Sequence, residues 1–289
     1  MLFLSSKSKK KENREFKKTV LAMDRGKKWA KREMQSLAQK DDEDFVARLA
    51  QARLELYSQA AYEGNDNAQY LVGMSYKQLE DREAALEWLT MQAKKGDVKS
   101  MKALAQGYTK EGLFGDNRIE YICWLRKAAQ AGDVWAQVNL GREYNGKNEE
   151  AARKWYQAAK AQGSSEACLE LGRSWYHEAI TKFGIQNPAE KQKLMDLVEE
   201  HYIEAANRAK DAHELAVASR ELGNFYSTAF QGDVSPERAA WFYYQAWNCE
   251  RKSDDFEQFE KIRKQYQLDM APERMDEWEE KLFGNDERI

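Results

Sequence analysis

Small, apolar and polar residues alternate along this chain with a helical period. In Gly132-Asp133-Val134-Trp135-Ala136-Gln137-Val138-Asn139-Leu140-Gly141-Arg142-Glu143-Tyr144, counting from Gly132, a small residue stands at +4, Leu at +8, Gly at +9 and Tyr at +12. At about 100° per residue these positions share one helical face. The pattern returns four times: Gly64, Ala68, Val72, Gly73 and Tyr76; Gly96, Ser100, Leu104, Ala105 and Tyr108; Gly163, Ala167, Leu171, Gly172 and Trp175; and Ala218, Leu222, Gly223 and Tyr226, with Glu214 in place of the first glycine. The +9 residues are 32, 36, 31 and 51 positions apart, and the last interval holds an insertion around Phe183–Pro188.

A second helical pattern follows each copy. Ala84-Ala85-Leu86-Glu87-Trp88-Leu89, Ala151-Ala152-Arg153-Lys154-Trp155-Tyr156 and Ala239-Ala240-Trp241-Phe242-Tyr243-Tyr244 are instances, and a half-copy from Ala52 to Ala61 precedes the first full repeat. Each unit therefore reads as helix A, a turn, then helix B. Glycine inside a helix costs about 0.5–1 kcal/mol relative to alanine, so at +9 it marks a place where a neighbour needs room. Ala105 at the same position argues for small size rather than a positive φ. One such hairpin cannot bury its own apolar face, so neighbours must stack.

The pattern A-x-x-G-x-x-x-A-x-x-x-L-G-x-x-Y followed by A-A-x-x-W-[YL] resembles the Sel1-like repeat family, a subclass of tetratricopeptide-like α-solenoids. The resemblance covers about Ala52 to Trp247. It implies an all-α, right-handed α-solenoid of about five helix-turn-helix repeats with helical caps. It also implies an adaptor or scaffold, in a family that is mostly bacterial and works in signalling, envelope regulation and host interaction. The regular cysteine pairs of the family's disulfide-stapled secreted branch do not occur in this sequence.

Charge divides the chain further. Residues 7–32 hold twelve Lys or Arg against Glu12, Glu15 and Asp24, about +9, so a formal net charge of −3 leaves the remainder near −12. Residues 1–40 thus read as a basic helical arm or cap, 41–252 as the repeat array and 253–289 as a helical C-terminal cap, since a terminal repeat must cover an apolar face. Met1–Leu4 is too short for a signal-peptide core and no run of 18 apolar residues exists, so a soluble cytoplasmic protein is expected. Cys123, Cys168 and Cys249 sit in apolar helical patterns and read as buried free thiols.

Little points to catalysis. There is no Gly-rich phosphate loop, no Cys-x-x-Cys and no His-Glu-x-x-His. Cys168 and His177 lie nine residues apart in one helix, an axial separation of roughly 13 Å that precludes direct activation. His201 and Glu204 share a helical face, but a metal there would need ligands from another helix. No enzyme activity, cofactor or metal is expected.

The positions opposite the packing stripe, +3, +6, +10 and +13 of helix A, carry the functional expectation. They hold Tyr70, Lys77, Lys99, Lys102, Trp135, Val138, Arg142, Glu166, Leu169, Arg173, Tyr176, Val217 and Arg220 among others, with six cations and one anion. A concave groove of this composition would steer an acidic peptide or helix with its cations and anchor it with Tyr70, Trp135 and Tyr176. The expected partner is a protein with an acidic segment. The alternatives are nucleic-acid association through the basic arm and a regulator or immunity partner of a toxin or envelope enzyme.

Overall fold

The computed structural model describes residues 6–39, 42–183, 188–228 and 235–283. The core of the expected Phe183–Pro188 insertion, residues 184–187, lies outside them. Among the described residues all regular structure is helical, with fifteen α-helices packed in sequence as hairpins. The chain divides into two compact units, residues 1–136 and 137–289.

The first unit holds α1 (Ser6–Asp24), α2 (Lys28–Ala38), α3 (Asp42–Tyr62), α4 (Asp66–Gln78), α5 (Arg82–Lys94), α6 (Val98–Gly107), α7 (Arg118–Gln130) and the start of α8 (Val134–Tyr144). α1 and α2 pack on α3 around Phe16, Val20, Met34 and Ala52. Asp24, at the end of α1, accepts two bonds from Arg53 on α3, Nη2 to Oδ1 at 2.6 Å and Nε to Oδ2 at 3.1 Å. Burial, and then the Asp24 carboxylate to which it is hydrogen-bonded, pushes the Tyr57 hydroxyl up to about 12. Between α6 and α7 the chain folds back on itself, with Phe114 buried against Gly107 and Arg82 donating to the Phe114 carbonyl at 2.6 Å.

The second unit continues with α9 (Glu149–Ala161), α10 (Ser165–Glu178), a π-helical turn (Ala179–Phe183), α11 (Pro188–Asn207), α12 (Ala212–Ser227), α13 (Pro236–Glu250), α14 (Ser253–Gln265), a 3-10 turn (Pro272–Arg274) and α15 (Met275–Phe283). Its core runs from Cys168 and Tyr202 through Leu222 and Phe242 to Phe259, Met270 and Phe283. The Phe283 ring meets Trp241 and Phe242 at centroid distances of 4.9 and 5.6 Å, so α15 covers the outer side of α13.

The step from helix B to the next helix A is the same in four copies. Gly132 takes φ +93°, as Gly64, Gly96 and Gly163 also take left-handed values, ending the preceding helix. The following residue works in two directions. Its backbone N–H reaches back to the ending helix, as Asp133 does to the Ala128 carbonyl at 3.0 Å. Its side chain caps the new helix: Asn65, Asp97, Asp133 and Ser164 accept from Ala68, Ser100, Ala136 and Ala167 at 2.9, 2.8, 2.8 and 3.1 Å. The fifth copy departs from this. α12 starts earlier in the pattern, capped by Asp211 on the Glu214 N–H at 2.9 Å, so Glu214 lies inside a helix where a turn glycine would stand.

The +9 glycines receive side chains of helix B. A Cβ on Gly141 would come within 2.4 Å of the Tyr156 ring, and one on Gly172 within 2.4 Å of Tyr202. At Gly73 and Gly223 the distances to Leu89 and Tyr243 are 3.1 Å. Small size is therefore the requirement, and the close neighbour is an aromatic face or a leucine. Two expectations are corrected. Of the cysteines only Cys168 is buried; Cys123 is exposed because Trp124 and Leu125 take the packing face of α7. Val138 and Leu169, placed on the outward face by the repeat, are buried at 0% and 5% exposure. α10, which carries Leu169, meets the next A helix, α12, as well as α9 and α11, so its buried arc is wider than the packing stripe alone.

Candidate functional site

The A helices are α4, α6, α8, α10 and α12. In the first unit position +6 of one copy meets +3 of the next. Lys99 Nζ lies 5.8 Å from the centroid of the Tyr70 ring, and Lys102 Nζ lies 5.2 Å from that of Trp135. Lys102 also approaches Asp133 at 3.8 Å. Burial raises the Tyr70 hydroxyl, with Asp97 adding to it. Lys77 is turned inward: its ammonium donates to the Ala103 carbonyl at 3.3 Å, and burial lowers its pKa.

In the second unit a different rung repeats, from +10 of one copy to +7 of the next. Arg142 donates to Glu170 Oε1 through Nε at 3.0 Å and Nη2 at 2.6 Å. Arg173 reaches back to the same Glu170 oxygen at 3.1 Å and forward through Nε to Glu221 at 3.0 Å. The Glu170 side chain is only 7% exposed, whereas those of Arg142 and Arg173 are 39% and 41% exposed. Burial works against both arginine charges, but the carboxylate bonds outweigh it and hold both guanidinium pKa values above the usual one. Glu166, 48% exposed, adds an outer contact to Arg142 at 2.8 Å.

These side chains border two hollows that share Arg173. One, of about 270 Å³, is lined by Arg142, Ser165, Glu166, Leu169, Arg173, His213, Glu214 and Val217. The other, of about 150 Å³, lies between Arg173, Tyr176, Tyr202, Glu221, Asn224, Phe225 and Thr228. Arg173 stands between them. The structure thus brings Arg142, Arg173 and Tyr176 together, and separately pairs Tyr70 with Lys99 and Lys102 with Trp135. Arg220 points elsewhere, to Asp255 at 2.7 Å and to Glu250.

The carboxylates at +7 were not part of the sequence expectation. Counted on the outward positions alone the face carries six cations and one anion, but Glu170, Glu221, Glu250 and Asp255 approach those cations from neighbouring elements. A signal existed: only copies four and five place Glu at +7, and copies three and four place Arg at +10.

Two other reactive side chains, His201 and Cys168, are engaged in packing. His201 is buried with Nδ1 at 2.7 Å from the Leu197 carbonyl oxygen, and burial lowers its pKa. Burial raises the Cys168 thiol. Among the described residues no group of three or more His, Cys, Asp or Glu is placed to hold a metal ion, and no helix is long and apolar enough to cross a membrane.

The chain matches no protein-family model and no curated protein. Solved structures do match it. One is the crystal structure of a protective antigen present in uropathogenic Escherichia coli strains that displays an SLR fold. Identity is 23% and the TM-score 0.52, and the match covers 93% of this chain and 64% of the antigen, so this chain spans less than two thirds of that protein. Another is a Sel1 repeat protein from Oxalobacter formigenes, with 22% identity, a TM-score of 0.52, and 79% of this chain and 94% of that one covered.

Proposed function

On a Sel1-like repeat fold, we propose that this protein is a non-catalytic adaptor that takes an acidic peptide, or the acidic helix of a protein partner, along its A-helix face. One observation carries the reading: Arg142 and Arg173 keep about two-fifths of their side chains exposed while buried Glu170 holds both in place. Guanidinium groups fixed in this way lose little freedom when a carboxylate binds. Leu169 and Val217 supply an apolar floor beside them. In the first unit, taken by itself, Lys99 beside Tyr70 and Lys102 beside Trp135 offer a cation next to a ring instead.

Residues 1–40 and 253–289 act in this reading as caps on the array 41–252. The packing of α1 and α2 on α3, and of α15 on α13, supports that role. The setting is the cytoplasm, a reading supported by three cysteines that stand free.

The test is capture from the native host by the wild type and by Lys102→Glu, Arg142→Glu and Arg173→Glu together, with thermal unfolding recorded for each. A partner that is held by wild type, lost by the folded variant and competed by an acidic peptide is the expected result. Undiminished capture of the same partner by the variant would sink the reading.

A further inference from the structure

α1 sorts its charges by side. Its apolar residues Phe16 and Val20 are buried against α3. Two of its carboxylates turn the same way, Asp24 to Arg53 and Glu12 to Arg48 at 3.8 Å. Lys11, Arg14, Lys18 and Arg25 are all exposed. Their spacing of three, four and seven places them within an arc of roughly 60° on the far side of the helix. Arg25 lies one residue beyond α1, yet its N–H still donates to the Leu21 carbonyl at 3.1 Å, so it continues the helical path. From Lys11 to Arg25 the stripe is about 21 Å long at about 1.5 Å per residue.

Among the described residues the only ion pair within this stripe joins Lys18 to the exposed Glu15, at 2.8 Å. The hydrogen bond from Lys18, with the fields of Lys18, Arg14 and Lys11, holds the Glu15 carboxyl below its usual pKa. The stripe is also held in place, because the Arg53–Asp24 pair and the Phe16–Val20 contacts fasten α1 to the repeat array. A fixed, linear row of cations suits a linear polyanion. Duplex DNA presents one negative charge per about 1.7 Å of axis, so several phosphates fall within reach of such a row. A membrane surface suits it less, since the apolar side chains of this hairpin are spent on α3 and Trp29, at 56% exposure, is its one exposed large apolar residue among those described.

We propose that the exposed stripe of α1 binds the phosphate backbone of duplex DNA without reading its sequence. This surface is separate from the A-helix face and stands or falls independently of it. Binding of the full chain to a fluorescein-labelled duplex of about 24 base pairs, followed by anisotropy between about 50 and 200 mM salt, tests it. Four neutralised phosphates give a slope of log K against log salt of about −3.6. Lys11→Gln, Arg14→Gln, Lys18→Gln and Arg25→Gln combined should lose at least about tenfold in affinity at low salt and most of that slope. Lys11→Gln with Arg14→Gln alone should lose about half the slope, and all of these exposed changes should leave the unfolding temperature in place. No binding at low salt would overturn the proposal. So would a quadruple variant that binds as wild type does, or polyglutamate or phosphatidylserine vesicles binding more tightly than the duplex with the same dependence on these residues.

Discussion

The Tyr156 ring occupies the space that a side chain on residue 141 would need: a methyl group there would lie 2.4 Å from Cε1. Gly141→Ala gains up to about 1 kcal/mol of helix propensity but forces the ring out of a packed site, which costs about 1–3 kcal/mol. The net expectation is a lower unfolding temperature. Gly73→Ala meets the Leu89 side chain and the Trp88 Cβ at 3.1 Å, farther than the ring at Gly141, and should cost less, within about 1 kcal/mol of wild type. Thermal melts of the two variants side by side decide whether ring contact sets the requirement.

The same tyrosine carries a second expectation. Its hydroxyl is buried with no hydrogen-bond partner among the described residues, and burial raises its pKa. Tyr156→Phe keeps the ring over Gly141 and removes the unpaired group, so stability should hold or rise by about 1 kcal/mol. A clear loss in urea unfolding would show that the hydroxyl does find a partner.

Glu170 ties Arg142 to Arg173. Glu170→Gln leaves two half-exposed cations without their shared, buried counter-charge and should cost about 1–3 kcal/mol, less than a fully buried pair because water reaches both guanidinium groups. Urea unfolding measures it. Glu166→Gln, whose carboxylate is exposed, should cost under about 1 kcal/mol.

Acid stability should depend on Glu250. Its bonds to His213, Lys252 and Arg220 lower its pKa from 4.5 to about 2. A carboxyl depressed on folding stabilises the protein fully above its unfolded pKa and loses that contribution as pH falls through the folded value. The difference in unfolding temperature between wild type and Glu250→Gln should thus be constant near neutrality and shrink between about pH 4.5 and 2. A difference unchanged across that window would count against the charge.

Arg53 is the fastening of the N-terminal hairpin. Its side chain is 15% exposed and that of Asp24 is 6% exposed, so Arg53→Ala strands a nearly buried carboxylate, at a cost of about 2–4 kcal/mol. Limited proteolysis should then cut within residues 6–39 faster than in wild type, while α4 to α7 stay protected.

The architecture was legible wherever a residue's role depended on its own repeat. The +9 glycines announced close contact, and the 31- to 36-residue spacing of the first four copies placed the hairpins. What the sequence left obscure depended on neighbours. Helical angle alone puts Val138 and Leu169 outside, but both are buried, and for Leu169 the next A helix, α12, packs beside α10. Counting charge on one face gave an excess of cations, because Glu170 and Glu221 arrive from the following copy and Asp255 from α14. The pairing of Arg at +10 with Glu one copy later is visible only when two repeats are read against each other. The stripe on α1 needed the structure for a related reason: composition shows that the arm is basic, but not that Glu12 and Asp24 face Arg48 and Arg53 on α3.

The two-residue junction has a consequence for how such a chain can change. Gly64-Asn65, Gly96-Asp97, Gly132-Asp133 and Gly163-Ser164 each close one helix and open the next with the same local bonds, none of which depends on a distant partner. A duplication or deletion of whole copies cut at these glycines would carry its own splice and keep every helix in register. The entry to α12, capped by Asp211 without a glycine, lacks that splice. Growth or shortening of the array by exchange of modules is thus open to the first four copies and closed at the fifth, the one that must meet the C-terminal helices.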